Sequence, residues 1–268
     1  MKKLKKPYAT FVILAVCVLI QAAITFTGGD NETETAILFG AYYKALIMAG
    51  EYWRVLTCGL VHITIWHLFV NALSLMNIGT VFEQRFGILR YLLILFGSVI
   101  GGSLFMFALE GNTVAVGLSG GLYGLMGGYI VIVMANGSYK RPDVISQLIR
   151  VVLINLMINF MPGVAVSAHI GGFLFGMVIT ALCLKEYPQF RRSMAVCGIV
   201  LLVMTGWFVR KGAVIREDQK YLMTDLRVLA TEKHYGFSGH AFRMAANLDK
   251  IYGYEDMLTS MLEVTDVD

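Results

Sequence analysis

Apolar residues gather in runs near 8–27, 60–82, 88–109, 117–136, 144–161, 165–184 and 193–210, separated by short polar stretches. A membrane-spanning helix needs about 20 mostly apolar residues, so the pattern predicts seven spans, with the fifth and seventh short. Pro7, Pro142, Pro162 and Pro188 each stand at the edge of a run, where a helix starts or stops without losing a ladder hydrogen bond. Residues 28–59 read as a long first loop. Residues 211–268 have ordinary polar composition and are expected to form two or three helices outside the bilayer. No internal repeat or low-complexity tract interrupts this order.

Lysine and arginine alternate between loops. Positive charge collects in "MKKLKK", in Arg85 and Arg90, in "YKRPD" and in "KEYPQFRR", whereas "GGDNETETA", "EGNTVAV" and "MPGVAV" carry none. By the positive-inside rule the N-terminus is cytoplasmic, and an odd number of spans puts the tail outside the cell membrane. The first run is expected to be an uncleaved anchor rather than a signal peptide, being long and lacking a convincing cleavage site.

Composition agrees: 57% of the 268 residues are hydrophobic and 15% charged, where soluble domains carry about 25% charged residues. The formal net charge of +4 gives no reason to expect nucleic acid. Cys17, Cys58, Cys183 and Cys197 form no CxxC pair, and neither a disulfide nor a metal site is expected.

Polar side chains inside lipid are costly and usually face a protein interior. Those that stand out are His62, His67 and Asn71 in the second run, Ser119 in the fourth and His169 in the sixth. With the predicted topology, His67, Ser119 and His169 all lie at similar shallow depth on the outer side. The fourth run holds "GLSGGLYGLMGG", in which Gly120, Gly124 and Gly128 recur every fourth residue; Gly172 and Gly176 repeat the spacing in the sixth. Such stripes let membrane helices approach closely. If the two stripes meet, Ser119 and His169 come within reach. Taken singly, the glycines read as helix packing, the serine as a back-bond to a carbonyl, and His169 as a satisfied core histidine.

Together they read as chemistry. A serine hydroxyl becomes a nucleophile when a base takes its proton, and histidine is the usual base. No carboxylate lies in a run at the right depth: Glu110 is in an outer loop, and Glu83 and Asp143 are on the inner side. The sequence therefore supports a Ser119–His169 dyad. Tyr123, four residues after Ser119 on the same helix face, is placed to stack on the imidazole. His67 and Asn71, also four apart, supply donors for an oxyanion, with the Ser119 amide as a third. A second GxSG, in "GFSGH", lies in the polar tail with no glycine stripe beside it; Ser238 there is expected at a turn or helix start, as an N-cap.

These blocks resemble the rhomboid intramembrane serine proteases. "EYWRVLTCGLVH" looks like the end of the family's first loop, with Trp53 and Arg54. "HITIWHLFVN" fits H-x4-H-x3-N through His62, His67 and Asn71, and "GTVFEQRFG" fits G-x3-E-x3-G through Gly79, Glu83 and Gly87. "GLSGGLYG" fits GxSG plus the tyrosine, through Gly117, Ser119, Gly120 and Tyr123, and "AHIGGFLFG" fits AHxxGxxxG. The order holds from about residue 8 to 184.

The resemblance implies an all-α polytopic fold with a six-helix core (about 8–184). A seventh helix (about 193–210) completes a membrane domain of residues 1–210, followed by a soluble helical tail, 211–268. It implies Ser119 as nucleophile, His169 as general base and then acid, and an oxyanion hole from His67, Asn71 and the Ser119 amide. Substrate would enter beside the fifth helix, under a cap from the loop before the sixth. Transmembrane proteins are the implied substrates, with the lipid bilayer as surroundings and no metal or cofactor. His62, Trp53, Arg54, Glu83, Gly124, Gly172 and Gly176 are expected to be structural, Glu83 through a hydrogen bond to Arg85 or a loop. Two other readings are a rhomboid-like protein that binds membrane clients without cutting, and a transporter. The second would need ionisable groups at mid-membrane or inverted repeats, and the sequence has neither. Oligomeric state is left open.

Overall fold

The computed structural model describes residues 6–27, 32–161, 163–215 and 221–265. Residues 1–5 of the basic N-terminal cluster, the start of "GGDNETETA", Pro162, and parts of the tail lie outside the described residues. Among the described residues the fold is all-α apart from one two-stranded bridge. In chain order the membrane part comprises α1 (Tyr8–Thr27), α5 (Ile65–Ser74) running through a π turn into α6 (Thr80–Phe86), α7 (Ile88–Leu109), α8 (Ser119–Ala135), α9 (Pro142–Ile158), α10 (Val166–Cys183) and α11 (Pro188–Gly212). Five of these units are long and apolar enough to cross a membrane: α1, the joined α5–α6 rod Ile65–Phe86, α7, α10 and α11. The predicted fourth and fifth spans, α8 and α9, have 17 residues each.

The boundaries have local causes. The second span begins at Ile65 rather than near 60, because Thr64 is extended and its hydroxyl accepts the His67 N–H at 3.1 Å, capping the helix. Gly87, with φ +76°, breaks α6 from α7. Ser119 is the first residue of α8 rather than one turn inside it, because Gly117 at φ +112° turns the chain just before.

The glycine stripes do meet. A methyl group built at Gly172 would stand 2.1 Å from the Gly120 carbonyl oxygen, and one at Gly176 would stand 2.2 Å from the Gly124 carbonyl oxygen. At these two places α8 and α10 touch backbone to backbone, which no larger residue permits. Gly124 and Gly128 face Ser98 of α7 and Thr180 of α10 at 2.0 and 2.2 Å by the same measure. Gly120 has more room, its nearest neighbour being the Ala168 carbonyl oxygen at 3.5 Å.

Glu83 is buried near the opposite end from the serine. It takes neither Arg85 nor a loop as its partner. Its carboxylate accepts the Ala9 and Thr10 N–H groups at 2.9 and 2.8 Å and the Thr10 hydroxyl at 2.8 Å. An acidic side chain there satisfies orphan donors of the first turn of α1 and complements its dipole.

The first loop folds into α2 (Glu32–Leu38), β1 (Tyr42–Tyr43), α3 (Lys44–Ala49) and α4 (Arg54–Thr57). Arg54 is buried at its centre, paired with Glu51 and donating to the Ile37 and Ala41 carbonyls at 2.5 and 3.0 Å. β1 pairs antiparallel with β2 (Val114–Ala115), just before the serine. The tail forms α12 (Leu222–Glu232), α13 (Ser238–Tyr252) and α14 (Met257–Val264). Its buried Leu229, Met244 and Leu248 share one apolar core with Ile37, Tyr43 and Leu46 of the first loop. The buried Asp225 carboxylate accepts the Tyr43 and Tyr252 hydroxyls at 2.5 and 2.8 Å. Burial, and then the charge of Asp225, push both phenols far above their ordinary range, so they stay donors. Ser238 opens α13 as its first residue, with no capping bond from its side chain; the N-cap is Phe237.

Gly172→Ala and Gly176→Ala are expected to destabilise the membrane domain by about 2 kcal/mol or more, as overpacking does. Gly120→Ala is expected to stay within about 0.5 kcal/mol, since an ordinary contact and a better helix former offset each other. Reversible unfolding in mixed micelles measures the difference. Asp225→Ala, which strands two buried hydroxyls at about 1–3 kcal/mol, is expected to speed proteolytic release of the tail while the membrane part stays intact on a gel.

Candidate active site

The close approach of α8 and α10 sets the geometry of the site. Ser119 Oγ lies 2.8 Å from His169 Nε2. Ser119 is half-buried at the first position of α8, and His169 is buried in the first turn of α10. The Tyr123 ring stacks on the imidazole, with centroids 4.0 Å apart and planes 9° from parallel. The expected pair and its supporting tyrosine are therefore brought together.

Gly117 has two roles here. Its positive φ turns the chain into α8, and its N–H donates to the Cys58 carbonyl at 2.9 Å, tying the serine loop to the first loop. A methyl group at this position would stand 2.6 Å from His67 Cε1 and 2.7 Å from its Nε2, so that edge of the His67 ring lies against the turn. His62 packs edge-on against His67, centroids 5.1 Å apart, and is fully buried. Asn71 Nδ2 donates to the His67 carbonyl at 2.9 Å, one turn back on its own helix. It lines the same cleft as Ser119, His67 and His169. His67 thus lies against the serine turn and Asn71 shares its cleft, with Asn71 spending one of its two N–H bonds inside the helix.

That cleft has a volume of about 1350 Å³. It is lined beside the serine by α5–α6 (Val70, Ser74, Ile78, Val81) and α9 (Leu148, Val151), and by Met161 and Val164 of the stretch before α10. Its walls are mostly apolar.

One contact was missed from the sequence. Asn159, just past the end of α9, places Oδ1 2.6 Å from His169 Nδ1. One turn earlier, the Asn155 carbonyl accepts the Tyr123 hydroxyl at 2.8 Å. A search for a carboxylate at this depth passes over a neutral amide. The available signal was the i, i+4 spacing of Asn155 and Asn159 in an otherwise apolar run.

Trp53 and Arg54 are not at the serine. Arg54 organises the first loop, and the half-exposed Trp53 ring lies 6.1 Å from the His240 ring of the tail. Glu51, Glu232 and His240 converge there closely enough to hold a metal ion. The His240–Glu51 hydrogen bond of 2.6 Å and the Arg54–Glu51 pair already engage Glu51. Burial, and then the neighbouring Glu51, hold Glu232 above the usual carboxylate range. This grouping joins tail to loop.

Comparison with known proteins agrees with this architecture. A family model described as the Rhomboid domain matches residues 49–186. The Rhomboid protease GluP of Bacillus subtilis (strain 168) is 31% identical over 204 residues, covering 75% of this chain and 40% of that protein. RHOMBOID-like protein 5 of Arabidopsis thaliana is 36% identical over 155 residues, covering 56% and 50%. Inactive RHOMBOID-like protein 8 of the same plant is 32% identical over 148 residues, covering 54% and 42%. The matched stretches span half or less of these relatives' own lengths. The chain belongs to the rhomboid family and is a multi-pass, all-α membrane protein.

Gly117→Ala would force a side chain into a left-handed backbone and against the His67 ring. It is expected to cost about 1–3 kcal/mol. The loss of stability in micelles, measured beside Gly137→Ala, whose site has positive φ but open space, isolates the contribution of the ring contact.

Proposed function

We propose that the protein is an intramembrane serine endopeptidase that cuts transmembrane segments of membrane proteins near the outer face. The observation that carries this reading is the 2.8 Å contact between Ser119 Oγ and His169 Nε2 at the head of an apolar cleft. A soluble peptide has no need of such a cleft; an apolar helix unwinding at its end does.

In this reading His169 Nε2 takes the hydroxyl proton as Ser119 Oγ attacks the scissile carbonyl carbon. The carbonyl π pair moves onto oxygen, and the oxyanion is met by donors from His67, Asn71 and the Ser119 amide. On collapse the C–N bond breaks, and the leaving amine takes the proton from His169. A water molecule, deprotonated by the same nitrogen, then attacks the acyl ester and returns Ser119 to its hydroxyl form. No metal or cofactor enters. Hydrogen bonds to the oxyanion form only with substrate present, so a second Asn71 N–H suffices.

The site's orientation follows the same reading. The tail shares a core with the first loop, and that loop is bridged to the serine turn. This supports a tail on the site's side of the membrane, outside the cell, with the N-terminus cytoplasmic. Residues 1–210 then form the membrane unit and 211–268 an outer helical unit docked on it.

Purified protein in lipid nanodiscs is expected to cut a fluorescent membrane-segment substrate, and Ser119→Ala is expected to abolish cutting. Cleavage by Ser119→Ala at the wild-type rate would sink the reading. If the wild-type chain binds the segment and never cuts it, the protein is a client-binding member, as the name of one inactive relative illustrates. Asn71→Ala and His67→Ala are each expected to lower kcat about 10²–10³-fold. Unchanged rates in both would remove the oxyanion assignment.

A further inference from the structure

We propose that Asn159 is the positioning residue for His169, and that through it the seating of α9 on the core sets the reactivity of Ser119. This rests on the serine-protease reading above.

Three observations carry it. First, the contact has the right polarity. An amide oxygen can only accept, so with Asn159 Oδ1 2.6 Å away, His169 Nδ1 carries the proton. Nε2 is then left with its lone pair toward Ser119 Oγ at 2.8 Å. That is the tautomer a general base needs, and the same amide role is found in Cys–His–Asn proteases on an unrelated fold. When Nε2 takes the serine proton the ring becomes cationic, and the Nδ1–H bond to Asn159 strengthens.

Second, the other support of the ring leaves one motion free. The Tyr123 stack, 9° from parallel, fixes the tilt of the imidazole but lets it turn within its own plane. A bond at Nδ1 in that plane stops the turn.

Third, the residue is carried by a loosely held helix. No described side chain of α9 is buried; Met157 is 73% exposed, and Phe160, just beyond the helix, is 81% exposed. Among the described residues its polar ties to the core come from the Asn155 carbonyl, which meets Tyr123, and the Asn159 amide, which meets both His169 and Tyr123. Both end on the stacked pair. The cleft runs between α5 and α9, so a segment entering it pushes on the element that orients the base. A poorly seated α9 leaves Ser119 without an aligned base.

The test uses the full chain in nanodiscs with a fluorescent membrane-segment substrate. Asn159→Leu, which keeps size and removes the acceptor, is expected to lower kcat about 10–100-fold, the worth of one hydrogen bond to a charged group. KM is expected to stay within about twofold. The acid limb of the kcat profile is expected to move to lower pH, because the cationic ring loses a bond that favoured it. Asn159→Asp is expected to restore kcat and move that limb to higher pH. Tyr123→Phe keeps the stack and removes the hydroxyl that meets both Asn155 and Asn159; it is expected to slow the wild-type chain but add nothing to Asn159→Leu, in a double-mutant cycle.

Wild-type kcat and pH profile in Asn159→Leu, with Ser119→Ala inactive, would overturn the proposal and leave the protease reading standing. So would a loss of kcat with an unmoved pH profile and no recovery in Asn159→Asp, which is the mark of a merely structural role. Additive effects of Tyr123→Phe and Asn159→Leu would overturn the part assigned to α9. If Ser119→Ala itself still cuts, the protease reading fails first, and these comparisons carry no weight for Asn159.

Discussion

Everything at the site depends on how closely two helices can approach. Methyl groups at Gly172 and Gly176 would stand about 2 Å from carbonyl oxygens of α8, so at the site's end the distance between α8 and α10 is set by backbone contact. A hydrogen bond tolerates only a few tenths of an ångström of error, and rotamers of long side chains do not hold two helices to that tolerance. Backbone against backbone has no rotamers. The Ser119–His169 distance is thus inherited from a contact of Gly120, beside the serine, with Gly172, one turn past the histidine, that has no chemistry of its own.

The first loop supplies a second rigid reference. Arg54, enclosed by Glu51 and two carbonyls, holds the loop together from within. The loop holds the serine turn through the β1–β2 pair and the Gly117–Cys58 bond. Where α8 and α10 fix the serine laterally, the loop fixes where along its axis α8 begins. α9 stands apart from both references: among the described residues it is tied to the core through Asn155 and Asn159, and it otherwise lines the cleft with Leu148 and Val151 or lies exposed.

Much of this was legible in the residues. Apolar runs gave the helices, because bilayer thickness imposes a length on them. Glycines at fourfold spacing pointed to the α8–α10 contact, and the shared depth of Ser119 and His169 pointed to the pair. What could not be read was anything set by a contact between distant segments of neutral or ordinary residues. Asn159 looks like any polar residue at a helix end until α10 is laid beside it. Glu83 was legible as structural, but its partner is 74 residues away and is a helix terminus rather than a side chain. The tail's attachment was illegible for the same reason: Asp225 and Tyr43 carry no pattern that pairs them across 182 positions.

That last separation bears on how the molecule is made. The apolar side of the first loop appears early in synthesis, and the helices that cover it, α12 to α14, follow only after α1 to α11. Contacts of such span are slow to form, and exposed apolar surface is a liability while it waits. During that interval the nascent chain already holds Ser119 and His169 with the loop beneath them half-clothed. The loop that braces the serine turn gains its full core only when α12 to α14 arrive.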